Sequence, residues 1–254
     1  MENEINEVTA PTVPESKPAS GIVRVFYEPK SFFAGLRNKK AWIIPLVIII
    51  IIGGVLGQLT KPILVRDIFA GVEQRMEQAR QAIGEERYNQ IMDQLQERKA
   101  EAMSNEINLR TVLTFVLAPL VIMFVIAGVG KLVGNFMLGG KAGFWVVFNV
   151  IVFTGLIGLA GDVIKSIMIL AKDTSYVYLG LGLLKPVNDG SFLFYLFRQI
   201  ELFSIWRVIA TCIGLGAVYN ISGKKFGYAL VPIWVVFVLL VAVANIFTGG
   251  SIIY

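Results

Sequence analysis

Long unbroken apolar runs, not apolar residues spaced to face a soluble core, set the pattern of this chain. A helix rising about 1.5 Å per residue needs about 20 apolar residues to cross the roughly 30 Å hydrocarbon core of a bilayer. Residues 42–59 (WIIPLVIIIIIGGVLGQL) meet that requirement, entered through Trp42 at the interface and Pro45 in the first turn, where a missing N–H costs little. Further runs at 111–130, 144–165 and 228–248 are as long, the third continuing in apolar character to about residue 170. A fifth, 202–220 (LFSIWRVIATCIGLGAVYN), contains Arg207. That arginine lies within two turns of one end, from which a long cationic side chain can snorkel to the headgroups. The pattern therefore predicts an all-α polytopic membrane protein with five transmembrane helices.

The stretches between the runs read differently. Residues 61–110 carry eight basic and nine acidic side chains. Their apolar residues recur at spacings of three and four: Ile68, Val72, Met76, Ala79 and Ile83, then Tyr88, Ile91, Leu95, Ala102 and Ile107. Such spacing predicts an amphipathic helical insert of two helices with a break near Gly84, needing a neighbouring helix, the membrane surface or a protein partner for its stripe. Residues 21–41 interleave Arg24, Lys30, Arg37, Lys39 and Lys40 with Phe26, Tyr27, Phe32, Phe33 and Leu36. This suits a helix in the headgroup layer, rings toward the acyl chains and cations toward anionic headgroups, or a plain positive flank of the first span. Residues 1–20 are acidic, rich in Pro and Ser, and read as a disordered tail ahead of a membrane domain over 21–254.

Charge gives the five spans a direction. They place 21–41, 131–143 and 221–227 on one side, with nine Lys or Arg against one acid, Glu28. The other side holds 61–110 and 171–201, where eleven bases face twelve acids. The positive-inside rule then predicts a cytoplasmic N-terminus, an extracytoplasmic insert and an external Tyr254. The net charge of +5 is accounted for by this partition, with Lys224 and Lys225 joining the N-terminal cations as lipid headgroup contacts, and it gives no basic patch for nucleic acid.

Catalytic chemistry has little to work with. Histidine is absent and Cys212 is alone, so the usual general base, triad base and zinc ligand are missing and no enzyme or cofactor is expected. Gly139, Gly140 and Lys141 resemble a fragment of a phosphate loop but lack its upstream glycine and following Ser or Thr. Asn135, Asn149, Asn220 and Asn245 are scattered and read as interhelical hydrogen-bond partners. Gly53 with Gly57, and the row Gly155, Gly158 and Gly161, would let helices approach closely, either within the monomer or in a homo-oligomer. Asp162 and Lys165 share a helical face, and with Arg207 they form a candidate intramembrane polar cluster near one rim, within which Asp162 and Arg207 can pair.

Two stretches carry a family resemblance. FYEPKSFFAGLRNKKAWIIPLVI, and ELFSIWRVIATCIGLGAVYNISGKKFGYALVPIW with its Leu-Phe-Ser-x-Trp entry, Gly-Leu-Gly helix turn, Ser-Gly-Lys-Lys loop and Tyr-Ala-Leu-Val-Pro exit, resemble the Yip1 domain family in its bacterial branch. The resemblance spans about residues 21–248 and implies five spans with a cytoplasmic N-terminus. Eukaryotic members bind prenylated Rab GTPases and one another and influence membrane shape, but the short tail and charged insert here fit the bacterial type and put a Rab partner in doubt. The resemblance implies no catalytic motif. The expectation is a non-enzymatic organiser or interaction scaffold of a bacterial cytoplasmic membrane, with anionic lipid, another protein or a second copy as partners. The alternative is a transporter, channel or lipid-handling component, in which Asp162, Lys165 and Arg207 line a pathway. No internal repeat marks an inverted-repeat transporter.

Overall fold

Five apolar helices long enough to cross a membrane run in alternate directions, and the other described elements are attached to their ends. The computed structural model describes residues 18–36, 40–104, 109–185 and 190–248. Residues 1–17 of the tail expected over 1–20, Arg37, Lys39, Ile107 and the external end at Tyr254 lie outside the described residues. The described chain is all-helical, with no strand.

Helix α6 (Phe144–Lys172) is the centre of the bundle. Val147, Val150, Ile151, Val152 and Ile157 on it are all but inaccessible, whereas most of each other span is exposed along its outer side. α3 (Ile43–Ile83) and α5 (Leu109–Leu132) pack on one side of α6, and α8 (Leu202–Tyr219) packs on it with α9 (Gly223–Thr248) beyond. Gly155 sets the α3–α5–α6 contact: a Cβ there would meet Met123 Cε at 3.0 Å and Ile49 Cδ1 at 3.1 Å. The glycine row predicted to bring backbones together does so along α6. Gly53 does not, since nothing lies within 4 Å of where its Cβ would be.

The first span continues into the insert without a break. α3 is a single helix of 41 residues, about 61 Å long, that passes through Pro62. The sequence puts the junction of span and insert between residues 59 and 61, where the apolar run gives way to charge, and a proline interior to a helix removes one N–H donor and crowds the preceding turn. The freed carbonyl sits where the apolar run ends and headgroup water can solvate it. The Thr60 hydroxyl supports the preceding turn by donating to the Leu56 carbonyl at 2.9 Å. The break falls at Gly84, whose φ of 82° favours a residue without Cβ. α4 (Glu85–Met103) then returns antiparallel along the outer half of α3. Lys99 pairs with Glu73 at 2.9 Å, Tyr88 donates to Glu77 at 2.7 Å, and Lys61 Nζ donates to the Ser104 carbonyl at 2.7 Å. The apolar stripes of the two helices are half-buried on each other, and no residue of α4 is fully buried.

The hairpin is fixed to the bundle at its base. Arg66 pairs with Asp173 at 2.8 Å and also donates to the Asp173 carbonyl, just past the end of α6. Asp67 accepts from the Ser175 N–H at 2.6 Å and the Thr174 hydroxyl at 3.3 Å.

The N-terminal basic-aromatic segment forms two short helices, α1 (Pro18–Tyr27) and α2 (Pro29–Gly35), so α1 takes in the last three residues of the expected tail. Two of their rings, Phe32 and Phe33, do not lie along the acyl boundary as expected, whereas Tyr27 is exposed. Phe33 is 1% exposed, wedged against Gly214 of α8 and Val150 of α6, and Phe32 packs edge-on to Phe153 at 4.9 Å. Gly214 leaves the space that the ring fills.

At the same end, α5 closes in a π-helical turn (Val133–Met137), and Tyr219 donates to Asn135 Oδ1 at 2.6 Å. α9 starts at Gly223, five residues before the apolar run suggested, because Asn220 at φ 54° reverses the chain in a three-residue turn. At the opposite end, α7 (Phe192–Gln199) packs on α9.

Gly216 and Gly53 predict opposite responses. A Cβ on Gly216 would lie 2.7 Å from the Gly223 backbone N, which cannot yield as a flexible side chain can, so Gly216→Ala costs about 1–3 kcal/mol. Gly53→Ala meets nothing and changes stability by roughly 0 to +1 kcal/mol through helix propensity. Equilibrium unfolding of the two variants in mixed micelles measures the difference.

Candidate functional site

Polar groups within the bundle gather along one line, the seam between α6 and α8. Thr154, Gly158, Asp162 and Lys165 follow one another at intervals of four, four and three, which puts them on one face of α6. Thr211, Arg207 and Phe203 answer them from α8 at intervals of four.

Thr154 lies ten residues into α6, about 15 Å from its start and near the middle of a 30 Å core. Its hydroxyl oxygen is 3.0 Å from that of Thr211, and each also reaches a carbonyl one turn back in its own helix, Val150 at 2.9 Å and Arg207 at 2.8 Å. One turn further, Arg207 lies along Gly158, where a Cβ would sit 3.6 Å from both Cδ and Nη1 of the arginine. At Gly161 a Cβ would come within 2.8 Å of Phe203. The glycines thus admit an arginine and a phenylalanine between two packed backbones. On the other side of the threonines, the Phe33 ring closes the seam against Val150 and Gly214.

The structure brings Asp162, Lys165 and Arg207 into one neighbourhood but pairs them differently from the sequence expectation. Lys165 Nζ forms an ion pair with Glu201 Oε1 at 3.0 Å without hydrogen-bond alignment, the side chains being 20% and 15% exposed. Asp162 interacts electrostatically with Lys165, Glu201 and Arg207, yet among the described residues neither Asp162 nor the Arg207 guanidinium makes a hydrogen bond or ion pair. The missed residue is Glu201, which reads as loop because it precedes the fourth apolar run. Nothing in the sequence marks it, because its position just before Leu202 does not say that the fold will set its carboxylate level with Lys165 on the neighbouring helix. Glu201 is held there by backbone bonds from Leu181 N to the Ile200 carbonyl at 3.0 Å and from Leu202 N to the Leu179 carbonyl at 3.2 Å.

An aromatic cap lies beside this end. Tyr178, Phe194 and Tyr195 cluster with Ala242, and the Arg198 guanidinium stands over the Phe194 ring at 5.9 Å. Burial pushes the Tyr178 phenol up to about 12 and draws the Arg198 guanidinium below its ordinary value, partly offset by the tyrosines and Glu201 around it.

The opposite end is basic and aromatic. Lys30, Lys40, Lys141, Lys224 and Lys225 are exposed there, beside Tyr27, Phe136 and Tyr228, the last two at 80% and 82% exposure. Arg24 differs from the other expected headgroup contacts in that its guanidinium is occupied by Glu28 and Ser31, each at 3.0 Å.

Removing one member of the Lys165–Glu201 pair leaves a largely buried charge, so Lys165→Met is expected to cost about 1–3 kcal/mol. The double variant Lys165→Met/Glu201→Leu should recover most of that loss, and a double-mutant cycle in equilibrium unfolding measures the coupling.

With this geometry in hand, comparison with known proteins gives one match: residues 23–244 fit the family model described as the Yip1 domain. No curated protein and no solved structure matches the chain.

Proposed function

This chain belongs to the Yip1 domain family of membrane proteins, and from that premise we propose that it is a non-enzymatic organiser that seats one face on anionic lipid and presents a helical hairpin to a protein partner on the other side. The observation that carries the reading is the unbroken α3, fixed at Arg66 and Asp67, which holds the hairpin as a stiff projection from the bundle. About 60 Å of continuous helix, half of it beyond the apolar run, is far more than a span requires. The polar outer surface of the hairpin is suited to a water-soluble domain or to the hairpin of a second copy.

The basic face supplies the other half of the reading. Exposed lysines next to exposed rings are the combination that holds a surface in the headgroup layer of an anionic leaflet. By the positive-inside rule this face is cytoplasmic and the hairpin extracytoplasmic, in a bacterial cytoplasmic membrane. The transport alternative has one feature in its favour, the polar seam. Against it stand the Thr154–Thr211 contact at mid-depth and the Phe33 ring beyond it, which fill this seam among the described residues.

Replacing residues 74–98 by a short Gly-Ser turn removes the projecting part of the hairpin and keeps Arg66, Asp67 and Lys61 in place. In-cell crosslinking should then lose the partners captured by the full chain while the protein still reaches the membrane. An unchanged partner set would sink the docking half of the proposal. For the basic face, Lys224→Ala/Lys225→Ala should weaken enrichment of anionic lipid around the purified protein, each lysine contributing about 1 kcal/mol. In liposomes, the organiser reading predicts ion flux no higher than in empty vesicles.

A further inference from the structure

Arg207 and Asp162 pose a problem that the bundle does not solve internally. A guanidinium with five N–H donors sits in the apolar zone, one turn from a threonine contact at mid-depth, and donates to no described group. The carboxylate one turn nearer the surface on the facing helix accepts from none either. Lys165, which could neutralise that carboxylate, is committed to Glu201. Both open groups have access to the outside of the bundle, Asp162 being exposed and Arg207 half-buried.

We propose that the insert-side end of the α6–α8 seam is a binding site for a lipid headgroup of the phosphoethanolamine type, with its phosphate on Arg207 and its primary ammonium on Asp162. The order in depth matches the ligand. In a membrane lipid the phosphate lies nearer the acyl chains and the amine further out. Arg207 is level with Gly158, about 21 Å from the start of α6, and Asp162 is about 6 Å beyond. Gly158 leaves the guanidinium room to lie along the seam and to reach outward to a phosphate, as long cationic side chains do near the interface.

The charge inventory gives the selectivity. A choline headgroup brings a cation with no N–H to donate to Asp162, and a glycerol headgroup brings hydroxyls but no cation, so neither gives the carboxylate a charged hydrogen-bond donor. A phosphoethanolamine satisfies both open groups at once. The site lies in the leaflet opposite the lysine-rich face and does not depend on the hairpin having a partner.

The test is native mass spectrometry of the full chain from micelles doped with equal amounts of phosphatidylethanolamine, phosphatidylcholine and phosphatidylglycerol of identical acyl chains. The wild type should retain one phosphatidylethanolamine preferentially. Asp162→Asn should lower the preference for phosphatidylethanolamine over phosphatidylcholine about ten-fold, as loss of one charge-assisted hydrogen bond predicts. Arg207→Gln should weaken retention of all three lipids, and Arg207→Lys should restore it, separating loss of the phosphate contact from loss of the fold. Equal retention of the three lipids by the wild type, or an Asp162→Asn variant with unchanged preference, overturns the proposal.

Discussion

Apolar helices in lipid gain nothing from leaving water a second time, so the cohesion of this bundle rests on how closely α6 lets its neighbours approach. Gly155 admits α3 and α5, Gly158 and Gly161 admit α8, and Gly214 on α8 admits the Phe33 ring. In the absence of a hydrophobic driving force between spans, such van der Waals contact and the few hydrogen bonds it permits supply the packing energy. The Thr154–Thr211 contact lies in the same α6–α8 seam, between Gly158 with Arg207 on one side and Gly214 with Phe33 on the other. The Lys165–Glu201 pair sits at the rim of the same seam.

What the sequence made legible was whatever depends on local pattern. Five apolar runs are five helices, Gly84 ends α3 because its φ is positive, and the small-residue row of α6 packs as its spacing implied. The failures are of two physical kinds. The change from apolar to charged residues near 60 reads as a boundary between span and insert, but backbone hydrogen bonding does not depend on side-chain polarity, and the helix goes on through Pro62. Phe33 and Glu201 were misjudged for a different reason, namely that partners distant in sequence decide their roles. A ring beside lysines looks the same whether it will face acyl chains or fill the space above Gly214. A glutamate ahead of an apolar run gives no sign of which lysine stands level with it.

The same geometry separates the two ends of the molecule. On one, a π-helical turn, the Tyr219–Asn135 bond and the embedded α1–α2 pair fix a collar of exposed lysines and rings at the membrane surface. On the other, α3 leaves the bundle as a stiff rod steadied by Asp173 and Ser175, beside a seam whose arginine and aspartate are open to the lipid. The polar residues that remain in the apolar zone are arranged for contact with neighbours and lipid, and none of the described ones assembles a nucleophile with a base.

The account stands on the two ends facing opposite compartments. Cysteine accessibility tests that directly, because the native Cys212 is buried within a span and gives little background. Single cysteines at Gln94, exposed on the hairpin, and at Ser222, exposed in the basic turn, are probed in spheroplasts with a membrane-impermeant maleimide. Labelling of the Gln94 site in intact spheroplasts, with the Ser222 site reacting only after permeabilisation, is the predicted result. Labelling of both sites from the same side, or the reverse pattern, would contradict the account.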